Sequence, residues 1–173
     1  MSELGNDTVQ NPKASLYQLS SGLLLSRVLA VVAEFGIADL LADGPMACES
    51  LASKTKTHAG SLYRCLRLLA SKGIFSEDEL GQFHLTPSAD YLRTDHPESL
   101  RNMVRASFQD ILYQAYDKLP QAVETGDTAF SKAYGAEFFD YLGANPDMGA
   151  KFDAAMAISS GPENASIAEA YDF

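Results

Sequence analysis

The sequence has no tryptophan, two cysteines and three histidines among its 173 residues. Each scarcity excludes something. His58, His84 and His96 stand apart, and none has a second histidine, a cysteine or an acid at metal-ligand spacing. No metal site is therefore predicted. No Ser-His-Asp arrangement with a hydrolase context occurs either. Bases are few, 13 against 23 acids, for a net charge of −10. That balance argues against nucleic acid or an anionic membrane as the main partner. No apolar run is long enough to cross a bilayer. Met1 to Ser15 is polar and carries no secretory leader. The expected location is the cytoplasm, with Cys48 and Cys65 reduced. Cys65 falls on an apolar helical stripe and reads as packing.

What is present is the material of a globular domain. Hydrophobic residues make up 46% and charged residues 21%. A chain of this length buries roughly 70% of its unfolded surface, so it can hold a core. Residues 1–12 read as a loose arm. From Lys13, apolar residues recur at three- and four-residue spacing (Leu16, Leu19, Leu23, Val28, Val32, Phe35), which predicts one long helix ending at Gly36. Leu23, Leu24 and Leu25 widen its stripe over much of the circumference. A helix apolar on most sides is covered on most sides, so a second subunit is expected to supply part of the cover.

A compact unit follows, over about residues 46–87. Ala47 to Lys54 is a predicted helix with Leu51 and Ala52 inward. Thr57 is a predicted N-cap for a second helix, His58 to Lys72, carrying Leu62, Cys65, Leu66 and Leu69 on one stripe. Ile74-Phe75 and Phe83-His84-Leu85 form a hairpin around a turn at Glu77 to Gln82. Helix, turn, helix and hairpin make a winged-helix unit. Residues 97–173 read as helical, with Pro120 an interruption, Gly126 a stop, and helices opened by Pro146 and Pro162. The predicted fold class is mainly α, a winged-helix unit with a small β-hairpin and additional helices.

The residues that carry a family likeness come in order. Leu62-Tyr63-Arg64-Cys65-Leu66-Arg67-Leu68-Leu69-Ala70-Ser71-Lys72-Gly73-Ile74-Phe75 is similar to the winged-helix segment of plant-type and bacterial small-molecule O-methyltransferases. Phe83-His84-Leu85-Thr86-Pro87 resembles their wing strand. Thr125 to Phe130, Phe138 to Leu142, Phe152 to Met156 and Ala170 to Phe173 resemble successive later blocks. The resemblance implies an intertwined, homodimeric, mostly helical dimerisation domain over residues 13–173. It implies that residues 97–173 form a wall of the acceptor pocket. It also implies that S-adenosylmethionine is held elsewhere, by a glycine-rich loop of a Rossmann-like domain. No such glycine cluster occurs in this sequence, so no cofactor is expected in this chain.

Two signals compete with plain packing. Lys54, Lys56, Arg64, Arg67 and Lys72 crowd the winged-helix unit, where DNA readers place base-contacting side chains. In relatives, arginines here pair with carboxylates. Aromatic residues crowd the second half, as in ligand pockets: Phe108, Tyr113, Tyr116, Phe130, Phe138, Phe139, Tyr141 and Phe152. The resemblance favours Phe152, Met156 and Ser159 as acceptor contacts, with Tyr113 and Phe138 behind them. In an intertwined dimer Tyr17 and Ser21 enter the partner's pocket. No catalytic residue is assigned, and whether the chain is itself an enzyme stays open. Three functions stand side by side. The first is the dimerisation and acceptor-binding domain of an O-methyltransferase of natural-product biosynthesis, holding a small aromatic or polyketide-like substrate. The second is a stand-alone relative that binds a hydrophobic metabolite or catalyses a cofactor-free cyclisation or rearrangement. The third is a winged-helix regulator.

Overall fold

The structure, a computed structural model, describes residues 11–105 and 108–157. The chain divides into two compact units, Met1–Val104 and Arg105–Phe173. The first opens with helices α1 (Pro12–Ser20) and α2 (Gly22–Glu34). The single helix expected from the apolar spacing is thus two helices, bent by 49°. The local sequence explains the break. Ser20 Oγ donates to the Tyr17 carbonyl at 2.9 Å, and Ser21 Oγ to the Gln18 carbonyl at 3.0 Å. Such back-bonding bends helices, and Gly22 adds backbone freedom. Asn11 caps α1 by accepting from the Ala14 amide at 3.1 Å, and Pro12 takes the first turn, where its missing N–H is harmless.

Gly36 ends α2 as expected, at φ 63°, and starts the short helix α3 (Ile37–Leu40). A turn through Gly44 leads to strand β1 (Met46–Ala47) and helix α4 (Cys48–Thr55). Helix α5 (Ala59–Ala70) buries Leu62, Leu66 and Leu69 on one face, while Cys65 is half-buried. Its cap is His58, not Thr57. His58 Nδ1 accepts from the Ser61 amide at 3.2 Å, and the Thr57 hydroxyl is engaged with Thr55 Oγ1 at 2.9 Å. Strands β2 (Phe75–Glu77) and β3 (Gln82–Leu85) form the expected hairpin. Its turn is tighter than expected, because Glu77 stays in the strand and Asp78 closes the loop. Asp78 Oδ1 accepts from the Leu80 and Gln82 amides, both at 2.9 Å, and Gly81 supplies the left-handed residue. The sheet has a third strand: β1 pairs antiparallel with β3, in the order β1-β3-β2. Two residues are too few for a visible period-two pattern, so nothing in the sequence announced it.

The core of this unit gathers Val32, Ile37, Leu51, Leu66, Phe75 and Phe83 from elements far apart in sequence. Helix α6 (Pro87–Asp90), capped by Thr86 Oγ1, continues from the wing. The segment after it is clamped back onto α3. Asp39 accepts from the Thr94 amide at 2.6 Å and from its hydroxyl at 2.8 Å. Arg101, on helix α7 (Arg101–Arg105), donates through Nη1 to Thr94 Oγ1 and through Nε to the Ala33 carbonyl. The guanidinium thus sits at the C-terminal end of α2, where a cation is favourable.

Gly36 is the tight point of this clamp. A Cβ there would lie 3.2 Å from Asp39 Oδ2 and 3.4 Å from Arg101, at a φ that disfavours L side chains. Gly36→Ala is expected to lower stability by about 2 kcal/mol, combining left-handed backbone strain of roughly 1–2 kcal/mol with displacement of the bonded carboxylate. Thermal unfolding of the first unit checks this. An unchanged midpoint would show that the carboxylate moves aside freely.

The second unit is helical throughout its described part. Helix α8 (Phe108–Tyr116) leads to α9 (Leu119–Thr125). Pro120 does not interrupt a helix but occupies the first turn of α9, where proline is tolerated. Gly126, left-handed, ends α9. Helix α10 (Ala129–Tyr134) is capped by Thr128, whose Oγ1 accepts from the Ser131 amide at 3.1 Å. Helices α11 (Phe138–Ala144) and α12 (146–157) follow. The side chain of Phe108, together with Ile158, Ser159 and the expected helix from Pro162, lies outside the described residues.

Candidate functional site

The aromatic side chains of the second unit come together as a connected cluster. Phe130 and Tyr134, one turn apart on α10, stack at 4.6 Å with their planes 26° apart. Phe138 meets Phe130 edge-on at 5.0 Å and Phe152 edge-on at 5.2 Å. Tyr141 joins Phe130 at 5.5 Å and Tyr134 at 4.8 Å. Edge-to-face pairs are the arrangement that the ring quadrupole favours. Phe130 and Leu142 are buried in this cluster, while Phe138, Tyr141, Met148 and Phe152 pack half-buried around them. Phe139 extends the cluster outward. It lies 5.3 Å from Phe138 and 6.2 Å from Phe152, yet is 73% exposed. The cluster is thus a packed core at one end and an open aromatic face at the other.

Two of the expected acceptor contacts, Phe138 and Phe152, meet directly in this cluster. Met156 follows Phe152 by one helical turn, on the same side of α12, and is exposed. Tyr113 lies on α8 and pairs edge-on with Tyr116 at 6.0 Å. Ser159 lies outside the described residues. Tyr17 and Ser21 belong to the first unit: Tyr17 is exposed on α1, and Ser21 is the bend residue. Phe139 stands in the aromatic series read from the sequence but not among the expected acceptor contacts, and Tyr134 stands in neither. A hydrophobic pattern does not distinguish an outward phenylalanine from its inward neighbour when both fall in one run.

The first unit carries a different feature. Helix α1 buries none of its residues, and α2 buries only Val32 and Ala33. Leu16 and Leu19 are 70% and 77% exposed, and Leu23, Leu24, Val31 and Phe35 are exposed with them. Such a concentration of large apolar side chains marks an interaction surface. No single helix among the described residues is long and apolar enough to cross a membrane.

The basic cluster is partly spoken for. Arg67 donates to Glu77 on β2 at 2.6 Å, and this bond pushes its guanidinium further into the charged range. The hairpin turn holds Asp78 and Glu79. The Gln82 amide and then the His84 ring hold the Asp78 carboxyl below its usual range. Cys48 is buried, and its thiol donates weakly to the Ala59 carbonyl at 3.4 Å. Burial, followed by the nearby Glu49 and Glu77 charges, pushes that thiol up, so it stays protonated and unreactive. Among the described residues no group of histidines, cysteines and acids is placed to hold a metal.

The described residues do not fit a methyl donor such as S-adenosylmethionine. Such a ligand is held by closely spaced glycines at the turn between a parallel strand and the helix after it. Among the described residues the left-handed glycines Gly36, Gly73, Gly81, Gly126 and Gly135 stand singly, and the strands are short and antiparallel.

Comparison with known proteins places this architecture. The O-methyltransferase dimerisation domain matches residues 17–95. A phenazine O-methyltransferase of Lysobacter antibioticus is 39% identical over 158 residues, 91% of this chain and 46% of that protein. The crystal structure of LaPhzM superposes with a TM-score of 0.83 at 37% identity, covering 94% of this chain and 49% of that one. An O-methyltransferase of neocarzinostatin biosynthesis, solved with S-adenosylmethionine and 2-hydroxy-5-methyl naphthoic acid, has a TM-score of 0.70 at 31% identity. The match covers 85% of this chain and 46% of that one. The chain spans about half the length of the curated relatives it matches. The bent apolar helices, the winged-helix unit and the aromatic helices that follow it in sequence correspond along nearly the whole chain to one structural type, and residues 17–95 match an O-methyltransferase dimerisation domain.

Proposed function

We propose that residues 13–173 act as the dimerisation and acceptor-binding part of an O-methyltransferase of natural-product biosynthesis, working as a homodimer in the cytoplasm and transferring no methyl group by themselves. The observation that carries the dimer is the uncovered apolar surface of α1 and α2. A second copy offers the same surface, and twofold association covers both at once. The acceptor role rests on the open end of the aromatic cluster. Phe139 and Phe152 present ring edges and faces to a planar substrate, and a related enzyme holds a naphthoic acid. The regulator reading is disfavoured, because Arg67 is tied to Glu77 and the wing tip is acidic.

The 173-residue chain is expected to sediment as a dimer. Titrated with 2-hydroxy-5-methyl naphthoic acid, it should shift NMR signals of Phe139 and Phe152, while calorimetry with S-adenosylmethionine gives no binding heat. Phe139→Ala should weaken the acid several-fold, since loss of one aromatic contact removes about 1 kcal/mol. The folding midpoint should hold, because the ring is largely exposed. Unperturbed aromatic signals would sink the acceptor role, and micromolar binding of the donor would sink the division of labour.

A further inference from the structure

One carboxylate organises the wing turn, and a histidine is its charge partner. We infer that Asp78 and His84 form a pH-sensitive latch on the wing tip, held most firmly when His84 carries a second ring proton. Asp78 Oδ1 accepts from the Leu80 and Gln82 amides, both at 2.9 Å, and Oδ2 faces His84 Nε2 at 2.8 Å. The main chain of Asp78 adds two bonds. Its amide donates to the Gln82 carbonyl, and its carbonyl accepts from the Gly81 amide, both at 3.0 Å. Among the described residues, His84 is the one ion-pair partner of this carboxylate.

The sheet register separates the pair from the other charges of the wing. His84 stands opposite Ser76 on β2, and Gln82, on the same face of β3, stands opposite Ala47 on β1. Phe83 points the other way, into the core. On that face Glu77 pairs with Arg67 of α5, and Tyr63 meets the Phe83 ring. Helix α6, which packs on β3, brings Asp90, and its carboxylate is engaged by Arg93 at 3.0 Å and His96 at 3.6 Å. Glu79 is the other acid of the turn. His84 donates from Nε2 in either charge state, but only the imidazolium makes the bond charge-assisted on both sides. The Gln82 amide, and after it the His84 ring, hold Asp78 below its usual range. The acid therefore stays ionised between about pH 5 and 8, where histidine changes charge. The added hold is present in mild acid and is lost as pH rises and the ring gives up its proton. What it governs is the tip, where Leu80 is 82% exposed and Gly81 is left-handed at φ 74°.

The test is amide exchange at Leu80 and Gln82 in the full chain, followed by NMR from about pH 8 to pH 6 and corrected for the intrinsic effect of pH. The His84 and Asp78 side chains are 36% and 34% exposed, so the gain is that of a surface ion pair. Protection at both amides should rise roughly two- to fivefold toward the acid end, and the rise should shrink in about 1 M salt. His84→Gln keeps a donor beside Asp78 but has no charge to change, and the trend should vanish. Glu79→Gln and His96→Gln alter neighbouring titratable groups and should keep it. Asp78→Ala should lower protection at both amides at either end of the range. Protection independent of pH in the unchanged protein would overturn the latch, as would a trend that survives His84→Gln. Unchanged protection in Asp78→Ala would show that the turn does not depend on this carboxylate, and would overturn it too.

Discussion

Leu19→Asp with Leu23→Asp is expected to turn the dimer into a monomer without unfolding it. Both side chains are exposed on a single chain, Leu19 at 77% and Leu23 at 55%. The fold of the protomer therefore loses little when they become polar. The dimer loses much. Full burial of a leucine is worth about 1.5–3 kcal/mol, so two leucines per chain contribute on the order of 3–6 kcal/mol per protomer. Aspartate adds a desolvation penalty of its own. At about 1.4 kcal/mol per factor of ten, the dissociation constant should rise by at least three orders of magnitude. Light scattering coupled to chromatography measures it, with circular dichroism as the check on folding. A variant that remains dimeric at low micromolar concentration would move the interface away from α1 and the start of α2.

The second large effect is internal. Phe83→Ala should lower the stability of the first unit by about 3–5 kcal/mol, the range for truncating a buried phenylalanine. Phe83 is fully buried on β3, the central strand, opposite Met46 of β1 and Glu77 of β2. Its ring meets Tyr63 of α5 edge-on at 6.0 Å. It therefore joins the sheet to the helix that the sheet packs on. Rigid neighbours on several sides cannot collapse into the space, so the cavity term adds to the lost transfer energy. Against a typical total of about 5–15 kcal/mol, this is enough to leave the winged-helix unit partly unfolded at 37 °C. Guanidinium unfolding followed through the unit's tyrosines would show the midpoint. A shift corresponding to less than 1 kcal/mol would mean that the core repacks around the gap.

Elements whose reason is local were readable from the sequence. Gly36 and Gly126 end helices because both positions are left-handed. Leu62, Leu66 and Leu69 face inward because a helix repeats every 3.6 residues. What was misread involved competition between local signals. The apolar spacing runs straight through Ser20 and Ser21, so periodicity indicated one helix, while the serine hydroxyls made two. His58 caps α5 in place of Thr57 because its ring nitrogen reaches the Ser61 amide. At the candidate site, an aromatic crowd was visible as composition. Its division into buried Phe130, half-buried Phe138 and exposed Phe139 was not.

The sequence alone determined the mainly helical class, the winged-helix unit, the exposed apolar content of the first helices, and the likeness to O-methyltransferases. These follow from periodicity, caps and ordered motifs, which act over one or two turns. Only the tertiary structure decided which ring of the aromatic series is exposed, that β1 completes the sheet, and that Asp39, Thr94 and Arg101 form one clamp. The Asp39 and Thr94 partners are 55 residues apart. Local preference carries no information across that separation. Such contacts are set by how the packed faces meet, and that is fixed only once the core has formed.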